Sequence, residues 1–314
     1  MKLETIEALA NGIFAEISEW NYPADRIINK FFRSNRSINS RNRRAIKTII
    51  YDKVRALPGY PEFLNKYVPE NWDAEFSAMH GEAPVDIRVN SLLVEREDVK
   101  LEGAEPTPNS PVGLRLPKRV PLEFDGLYEV QDEGSQLVVQ FAEASAGERV
   151  LDYCAGGGGK ALALAADMVN EGELVCYDAD PERMKNLPAR LERAGVKIAK
   201  LMQPKGMFDL VFVDSPCSGS GTWRRNPDLK WRMKEADIEW LLKTQEKVLQ
   251  QAAKFVKSGG RMVYVTCSLF PAENEEQVQK FLSQNKEFVL DEDIHLSPLR
   301  SNTDGFYAAR LVRN

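Results

Sequence analysis

Histidine is scarce in this sequence, and long apolar runs are lacking. The 314 residues include two histidines, His80 and His295, which do not form a motif with other metal-ligating residues. This scarcity argues against a zinc site and against a Cys-His catalytic pair, so no metal is expected. No apolar run approaches the ~18 residues that span a bilayer, so a membrane protein is not expected either.

Cysteine is also infrequent, with four residues at positions 154, 176, 217 and 267. The first residues include Glu4 and lack a small-residue cleavage site, which does not fit a signal peptide. Without an export signal, free thiols are the expected state. The sequence therefore predicts a cytoplasmic protein, and we expect a monomer.

Positive charge is not in excess over the whole chain, whose formal net charge is −5, but one segment is strongly basic. Residues 26–55 contain ten basic residues and one acid, which leaves a net charge of −14 for the rest. Such an uneven distribution predicts a surface for a polyanion, with Arg41, Arg43 and Arg44 as candidate RNA contacts. A solvated helix surface is the alternative for this segment taken alone.

The first part of the chain has the pattern of a small helical domain, which we assign to residues 1–80. Apolar spacing predicts helices at residues 3–20, 24–32 and 40–57. In residues 81–145, short β-like segments alternate with turns rich in proline and glycine. We interpret this part as a connecting subdomain.

Residues 146–314 have an alternating strand and helix pattern. Strands are predicted at residues 149–154, 173–178, 208–214 and 261–267, and helices at 160–169, 181–194, 234–256 and 272–284. Asp180 is expected to cap the helix that begins at Pro181, and Gly195 to end it. Apolar strands that alternate with helices predict an α/β fold with a parallel, doubly wound sheet. A last strand, antiparallel in direction, is expected at residues 305–312.

A glycine-rich turn joins the first of these strands to its helix. It runs through Cys154, Ala155, Gly156, Gly157, Gly158, Gly159 and Lys160. Glycines let a ligand approach the backbone, and the helix N-terminus offers free N–H groups. Asp178, at the end of the next strand, suits the ribose hydroxyls of an adenosine. The spacing is not that of a P-loop, whereas a dinucleotide and S-adenosylmethionine both fit, the latter better with the motifs that follow.

Two further strands each bring a cysteine to the same predicted edge of the sheet. Asp214 ends one strand and Cys217 follows it, and Cys267 ends another strand. That edge is where doubly wound sheets bind their ligands. Cys176 lies inside a strand and is expected to be a small buried residue. The residues alone do not decide which of Cys217 and Cys267 would attack a substrate.

A thiol at this edge suits methyl transfer to carbon 5 of cytosine. Carbon 5 is a poor nucleophile, but a thiolate that adds to carbon 6 converts the ring into an enamine. Carbon 5 can then attack the methyl group of a sulfonium donor, after which its proton is lost and the thiol is eliminated. Cysteine suits this role because positive charge or a helix terminus makes its thiolate accessible near neutral pH.

These motifs resemble those of the bacterial ribosomal-RNA cytosine-C5 methyltransferases of the RsmB/Sun type and their eukaryotic nucleolar relatives. The resemblance covers residues 85–312 and is most specific at Asp214-Ser-Pro-Cys217, at residues 224–231 and at Thr266-Cys-Ser268. It implies a class I S-adenosylmethionine methyltransferase fold and an RNA substrate, with 16S ribosomal RNA expected first and transfer RNA second. It also implies that residues 154–160 surround the methionine part of the cofactor and that Asp178 binds its ribose.

The resemblance also implies a role for each residue at the reaction centre. Cys267 would attack carbon 6, and Cys217 would assist the breakdown of the covalent adduct. Asp214 would hold the amino edge or the ring nitrogen of the cytosine and lie near the cofactor. The ranking of Cys267 above Cys217 rests on this resemblance.

Three features depart from the family pattern. The family loop usually reads Cys-Ala-Ala-Pro-Gly-Gly-Lys, whereas Gly156 and Gly157 replace its second alanine and its proline here. Residues 197–206 contain no acid for the adenine region, which leaves Gln203 as a substitute, and the helical domain is shorter than the NusB-like domain that it resembles. These departures motivate an alternative, an RNA-binding or ribosome-assembly protein with weakened catalysis. A nicotinamide oxidoreductase would leave both cysteine motifs unexplained.

RNA is favoured over DNA because a base must leave its stack to meet the thiol, which costs less in single-stranded RNA. A basic and aromatic segment follows Cys217 and is predicted to contact the RNA through Trp223, Arg224, Arg225, Lys230, Trp231 and Arg232. Core packing is the alternative for the two tryptophans. Phosphate contacts by the basic helix near Arg41 would make binding depend strongly on salt.

Overall fold

The chain folds into a helical N-terminal part, a small antiparallel sheet and a larger mixed α/β sheet. The computed structural model describes residues 1–117, 122–123 and 125–314. Residues 118–121 and 124, which belong to the predicted connecting subdomain, lie outside the described residues.

The N-terminal part begins with three helices, as predicted. They are α1 (Leu3–Ile17), α2 (Ala24–Ser34) and α3 (Ser40–Arg55). Asn39 caps α3 by accepting a hydrogen bond from the backbone N–H of Asn42. The isoleucines of the three helices bury each other in one core, so the arginines of α2 and α3 remain at the surface.

A 3₁₀ turn (Glu62–Lys66) and α4 (Trp72–Ala78) follow these helices and pack against the α/β part. Trp72 shares a hydrophobic cluster with Trp223 and Phe270, which flank the two cysteines in the sequence. A second junction pairs Trp20 with Trp231, whose stacked rings have centroids 5.9 Å apart. The helical part is therefore anchored next to the segment that follows Cys217.

The small sheet has the order β2-β3-β1-β4, and every pairing in it is antiparallel. Its strands are β1 (Val85–Val89), β2 (Glu105–Pro106), β3 (Gly113–Leu116) and β4 (Tyr128–Val130), with a 3₁₀ turn at Arg96–Asp98. Arg115 on β3 forms an ion pair with the buried Asp86 on β1, 2.8 Å apart. This sheet lies within residues 81–145, where the sequence predicted short β segments, and the bounds of the connecting subdomain stay a prediction.

The larger sheet has seven strands in the order β10-β11-β9-β8-β5-β6-β7. The strands are β5 (Arg149–Asp152), β6 (Glu173–Cys176), β7 (Ala199–Leu201), β8 (Phe208–Asp214), β9 (Val256–Thr266), β10 (Phe288–Leu296) and β11 (Phe306–Arg313). The helices are α5 (Glu133–Gln140), α6 (Gly159–Asp167), α7 (Leu187–Arg193), α8 (Leu229–Arg232), α9 (Glu235–Ala252), α10 (Glu275–Gln284) and α11 (Pro298–Ser301). Strands β5 to β9 pair in parallel, and β11 lies antiparallel between β9 and β10.

This arrangement confirms the predicted doubly wound α/β fold of a class I methyltransferase, with three local differences. The helix predicted at residues 181–194 is divided into a 3₁₀ turn (Pro181–Met184) and α7, because Pro188 has no N–H to donate to the carbonyl of Met184 and fits only in the first turn of a helix. Strand β9 begins at Val256, ahead of the prediction, and the register shift opposite Phe208 and Leu210 accommodates its glycines. Strands β7 and β10 were not predicted.

Candidate active site

The cysteines at the ends of β8 and β9 meet at the carboxyl edge of the sheet. Parallel pairing aligns Asp214 with Val265, so the residues that follow each strand emerge side by side. The sulfur atoms of Cys217 and Cys267 lie 3.4 Å apart, within hydrogen-bond distance. This hydrogen bond, together with burial, raises the pKa of the Cys217 thiol well above its ordinary value. Both residues are half-buried, so a substrate can reach them from one side.

The loops that carry the two cysteines are joined to each other by several hydrogen bonds. The backbone N–H of Gly221 donates to the carbonyl of Cys267 at 3.0 Å, and the hydroxyl groups of Ser220 and Ser268 lie 3.0 Å apart. The backbone of Gly221 also contacts Gly305 so closely that a Cβ atom at Gly221 would lie 2.3 Å from the Gly305 carbonyl oxygen. The distance between the two sulfur atoms is therefore fixed by the fold.

A cation lies beside the two thiols. Lys160, the second residue of α6, forms an ion pair with Asp214 at the end of β8, with 2.7 Å between Nζ and Oδ2. Burial alone would lower the pKa of Lys160, but the negative charge of Asp214 outweighs that effect and raises it. The ammonium group is also near enough to Cys267 to interact with its charge. Lys160 thus places a positive charge near the sulfur atom of Cys267.

The glycine-rich turn between β5 and α6 has a tight backbone conformation. Gly156 and Gly158 have positive φ angles of 49° and 85°, which favour glycine. A Cβ atom at Gly158 would lie 2.1 Å from a methyl carbon of Leu187, so no larger residue fits there. At Gly157 a Cβ atom would meet only Arg190, at 3.4 Å, among the described residues. The glycine that replaces the family's proline is therefore not required by packing.

Asp178 closes this turn from the end of β6. Its buried carboxylate accepts hydrogen bonds from the backbone N–H groups of Gly156 at 3.0 Å and Asp180 at 2.9 Å, and it forms an ion pair with Arg183. The side chain of Arg183 is half exposed, so it can move away from Asp178. The arrangement brings the glycine turn and the predicted ribose-binding acid into direct contact.

Asp152, the last residue of β5, is a buried acid without hydrogen-bond partners for its side chain among the described residues. Burial and the nearby charge of Asp214 raise the pKa of Asp152 to about 8. An orphaned carboxyl group beside a glycine turn and a helix N-terminus would suit a ligand with both a cationic and a polar end. The residues present therefore fit a cofactor with an amino acid part and a ribose.

Several charged side chains of the basic segment after Cys217 have partners inside the protein, whereas the sequence predicted that this segment contacts RNA. Arg224 is 3% exposed and donates a hydrogen bond to Asp304, and Arg225 forms ion pairs with Asp304 and Asp132. Lys230 is 4% exposed and lies over the ring of Phe76, and its burial lowers the pKa to about 8. The structure therefore gives Arg224 and Lys230 internal partners in place of solvent. At 3% and 4% exposure, Arg224 and Lys230 have little surface for the RNA contacts that the sequence predicted.

Arg43, Arg44 and Arg225, which were also predicted to contact RNA, line a large open cleft between the N-terminal helices and the small sheet. The cleft has a volume of about 2050 Å³. Its cationic residues include Arg33, Arg36, Arg43, Arg44, Lys47, Arg55, Arg115 and Arg225. Arg41 is exposed on the same helix but does not line the cleft. Arg43 is partly occupied, because it donates to the carbonyl groups of Ile38 and Arg36.

Sequence reasoning missed three residues at the site: Asp152, Arg183 and Glu273. Asp152 could have been noticed as an acid that ends an apolar strand, the same signal that singled out Asp178. Arg183 and Glu273 carried no such signal because their contacts depend on tertiary structure.

In the described parts of the chain, no group of three or more histidine, cysteine, aspartate or glutamate residues could hold a metal ion. No helix in those parts is long and apolar enough to cross a membrane.

Known proteins are similar to this chain in sequence and in fold. The chain is 32% identical to the ribosomal RNA small subunit methyltransferase B of Photorhabdus laumondii, over 81% of this chain and 66% of that protein. It spans 64–66% of the length of three such curated relatives, so it is shorter than they are. Its fold matches the crystal structure of PH0851 with a TM-score of 0.71 and 28% identity, covering 92% of this chain and 76% of that chain.

A second solved structure extends the similarity. A methyltransferase homologue from Pyrococcus horikoshii matches with a TM-score of 0.70 and 25% identity, over 82% of this chain and 96% of that chain. Residues 139–312 match the family described as 16S rRNA methyltransferase RsmB/F. This match contains the glycine turn, Asp178, Asp214 and both cysteines, and it covers more than half of the chain. The chain therefore belongs to the RsmB/F family of 16S rRNA methyltransferases.

Proposed function

We propose that the protein transfers a methyl group from S-adenosylmethionine to carbon 5 of a cytosine in RNA, with 16S ribosomal RNA as the substrate. The observation that carries this proposal is the pair of thiols 3.4 Å apart beside the Lys160–Asp214 ion pair. A single catalytic thiol would suffice for many hydrolases, whereas formation and breakdown of an adduct at carbon 6 use two groups in sequence. That the protein acts as a cytoplasmic monomer without a metal stays a prediction.

The cofactor would be held by the turn between β5 and α6. Asp152 and the residues from Cys154 to Lys160 would surround its amino acid part, and Asp178 would accept hydrogen bonds from its ribose in place of Arg183. When bound, S-adenosylmethionine supplies an electrophilic methyl group. The side chain of Gln203 is exposed, and its surroundings give no support for the predicted role in adenine binding.

In the first half of the reaction, Cys267 would act as the nucleophile. Its thiolate would form a bond to carbon 6, and the electron pair of the C5=C6 double bond would then form the bond from carbon 5 to the methyl carbon. The bond between that carbon and the sulfonium sulfur of the donor would break, and its electron pair would stay on the sulfur. Lys160 favours the thiolate, and Asp214 would hold the amino edge or ring nitrogen of the cytosine. These two residues thus orient the base and prepare the sulfur atom.

In the second half, Cys217 would assist the breakdown of the adduct. Once Cys267 is bonded to carbon, it no longer carries a charge, and the effect of that charge on the pKa of Cys217 is relieved. Cys217 can then release its own proton to solvent and accept the proton of carbon 5. The electron pair of the C–H bond re-forms the C5=C6 double bond, and Cys267 leaves as a thiolate.

RNA outside the target base would bind the basic cleft between the N-terminal helices and the small sheet. Arg33, Arg36 and Arg44 are exposed there and suit phosphate groups. The cleft has no predominance of aromatic residues for stacking, so its contribution is mainly electrostatic. This surface would hold the RNA while a single base enters the site at the cysteines.

Bisulfite sequencing of total RNA from cells with and without the gene tests the proposal. One cytosine in 16S ribosomal RNA is expected to lose its methyl group without the gene and to regain it with the intact gene but not with Cys267→Ala. A gene-dependent methylated position in a transfer RNA would instead identify transfer RNA as the substrate. An unchanged map together with undetectable S-adenosylmethionine binding would support the alternative of an RNA-binding protein with weakened catalysis.

A further inference from the structure

A buried acid outside the predicted site joins the two cysteine loops. Glu273 is 0% exposed and ends the 3₁₀ turn Pro271–Glu273 that follows β9. Its carboxylate accepts four hydrogen bonds, and all of the donors are neutral groups. A charge that is buried without a cationic partner is costly. The presence of Glu273 at this position therefore calls for a function beyond packing.

The donors to Glu273 are the residues next to the two cysteines. The backbone N–H and the hydroxyl of Ser218 donate to it, at 2.8 and 2.5 Å, and the hydroxyl of Ser268 donates at 2.5 Å. Ser218 follows Cys217 directly, and Ser268 follows Cys267 directly. One carboxylate thus holds the residue after each thiol.

The fourth donor connects Glu273 to the residue that precedes Cys217. The side-chain amide of Gln245, on α9, donates to Glu273 at 2.9 Å and to the carbonyl of Pro216 at 3.0 Å. Pro216 precedes Cys217. The backbone on both sides of this cysteine is therefore connected to the same carboxylate.

The charges around the two sulfur atoms are unequal. The negative charge of Glu273 acts on Cys217, and the ammonium group of Lys160 acts on Cys267. Negative charge favours the thiol form of a cysteine, and positive charge favours the thiolate. The surroundings of Cys217 thus favour a proton on its sulfur atom.

We propose that Glu273 is a positioning residue that keeps the two sulfur atoms within hydrogen-bond distance and keeps their shared proton on Cys217. This proposal rests on the proposed function only for the identity of the reaction. The hydrogen bonds of Glu273 carry the positioning role, and its negative charge carries the effect on the proton of Cys217. Loss of the charge at Glu273 should therefore change the acidity of Cys217 even in the absence of RNA and cofactor.

The main test measures the reaction of Cys217 with iodoacetamide as a function of pH. Cys267→Ser leaves Cys217 as the single thiol of the pair, and modification is located by mass spectrometry. Adding Glu273→Gln to this variant is expected to lower the pKa of Cys217, which is measured as an about threefold faster reaction in the mid-range of the titration. Glu276→Gln, an exposed acid on α10, is the matched control and should leave the curve unchanged. Equal curves with and without Glu273→Gln would overturn the proposed charge effect.

A second variant covers the case in which Glu273→Gln fails to fold. Ser268→Ala keeps the carboxylate and removes one of its connections to the Cys267 loop. The oxidant diamide accepts two electrons and two protons as the two thiols close to a disulfide, and the rate of closure reports how well the sulfur atoms are held together. We expect closure to be about tenfold slower in Ser268→Ala than in the unmodified protein. An equal rate would overturn the positioning role.

Methylation kinetics then connect the residue to the reaction. Glu273→Gln is expected to lower kcat about tenfold while KM for RNA stays within about twofold, because RNA does not contact Glu273. Active protein is counted by S-adenosylmethionine binding, so partial unfolding does not imitate this result. If the unmodified protein methylates no cytosine, the proposed function fails, whereas the alkylation and disulfide experiments still decide the role of Glu273.

Discussion

The sulfur atoms of Cys217 and Cys267 lie 3.4 Å apart although the two residues are separated by 50 positions in the chain. The parallel register of β8 and β9, which places Asp214 beside Val265, brings the two loops together. A shift of one residue in this register would turn the side chains of one strand to the opposite face of the sheet. The reaction centre therefore depends on the pairing of two neighbouring strands.

Replacing each cysteine should separate the two proposed roles. Cys217→Ala is expected to accumulate a covalent protein–RNA adduct, because the group that assists breakdown is missing, whereas Cys267→Ala should form no adduct. Denaturing gel electrophoresis with radiolabelled RNA measures both. Cys176→Ala, a buried cysteine within β6, is the control and should form no excess adduct. An adduct in Cys267→Ala and none in Cys217→Ala would reverse the two assignments.

Removing the charge of Asp214 should affect both stability and reaction. Asp214→Asn leaves the largely buried ammonium group of Lys160 without its partner, and we expect the free energy of unfolding to fall by about 1–3 kcal/mol. Because Asp214 is also proposed to orient the base, kcat/KM should fall at least about 100-fold. Urea denaturation and initial rates measure the two effects.

Asp25→Asn provides a matched control for that stability change. Asp25 pairs with Lys47 at 3.3 Å, but both side chains are exposed. The loss of such a surface pair should cost less than about 0.5 kcal/mol. Equal losses for Asp214→Asn and Asp25→Asn would show that burial of the Lys160–Asp214 pair has no energetic effect.

Stability should depend on pH through Asp152. Burial raises the pKa of this carboxyl group from 3.8 to about 8 in the folded protein, so it binds a proton more tightly when folded. The cost is absent below the unfolded pKa and grows as the pH rises towards 8. Asp152→Asn should therefore be more stable than the unmodified protein, by a margin that widens by up to about 4 kcal/mol between pH 5 and pH 8. Thermal or urea unfolding at several pH values measures this margin.

Asp209→Asn is a control for which the effect on stability should have the opposite sign. Burial alone would raise the pKa of Asp209, but the hydrogen bond from Lys257 and further donors lower it overall. The charged form contributes stability above the unfolded pKa, and that contribution is lost as the pH falls through the folded value. Asp209→Asn should thus be less stable at pH 8, and the difference should shrink towards pH 3. A constant margin for Asp152→Asn across this range would contradict the raised pKa of Asp152.

RNA binding should depend on the exposed arginines of the basic cleft. Replacing Arg33, Arg36 and Arg44 with glutamine is expected to weaken binding and to make it less sensitive to salt, by about 0.7 in the slope of log K against log salt for each phosphate that the variant no longer neutralises. Filter binding between 50 and 200 mM salt measures the slope. Replacing the exposed lysines Lys197, Lys243 and Lys247 with glutamine removes the same charge from the α/β part and should leave the slope unchanged. Equal slopes for both triple variants would place the RNA elsewhere.

Strong apolar strands made much of the fold and site predictable. Strands β5, β6, β8 and β9 were recognised from their apolar cores, and their ends supplied Asp178, Asp214 and both cysteines. Strand β10 was not recognised because it is an edge strand with several charged and exposed residues, so its apolar residues show no clear periodicity. Arg224 and Lys230 were expected at the surface because charge usually lies there, yet Asp304, the partner of Arg224, is 80 positions away. Long-range pairs of this kind, like those of Glu273, cannot be read from spacing along the chain.

The position of β11 has a consequence for the order of events during synthesis. This strand follows β10 in the chain but lies between β9 and β10 in the sheet, where it pairs with both. A ribosome therefore completes β9 and β10 before the strand that must separate them exists. Until residues 306–313 have emerged, the edge of β9 stays open and Gly305 is not yet in contact with Gly221. The nascent chain consequently carries both thiols before it has the scaffold that holds them together.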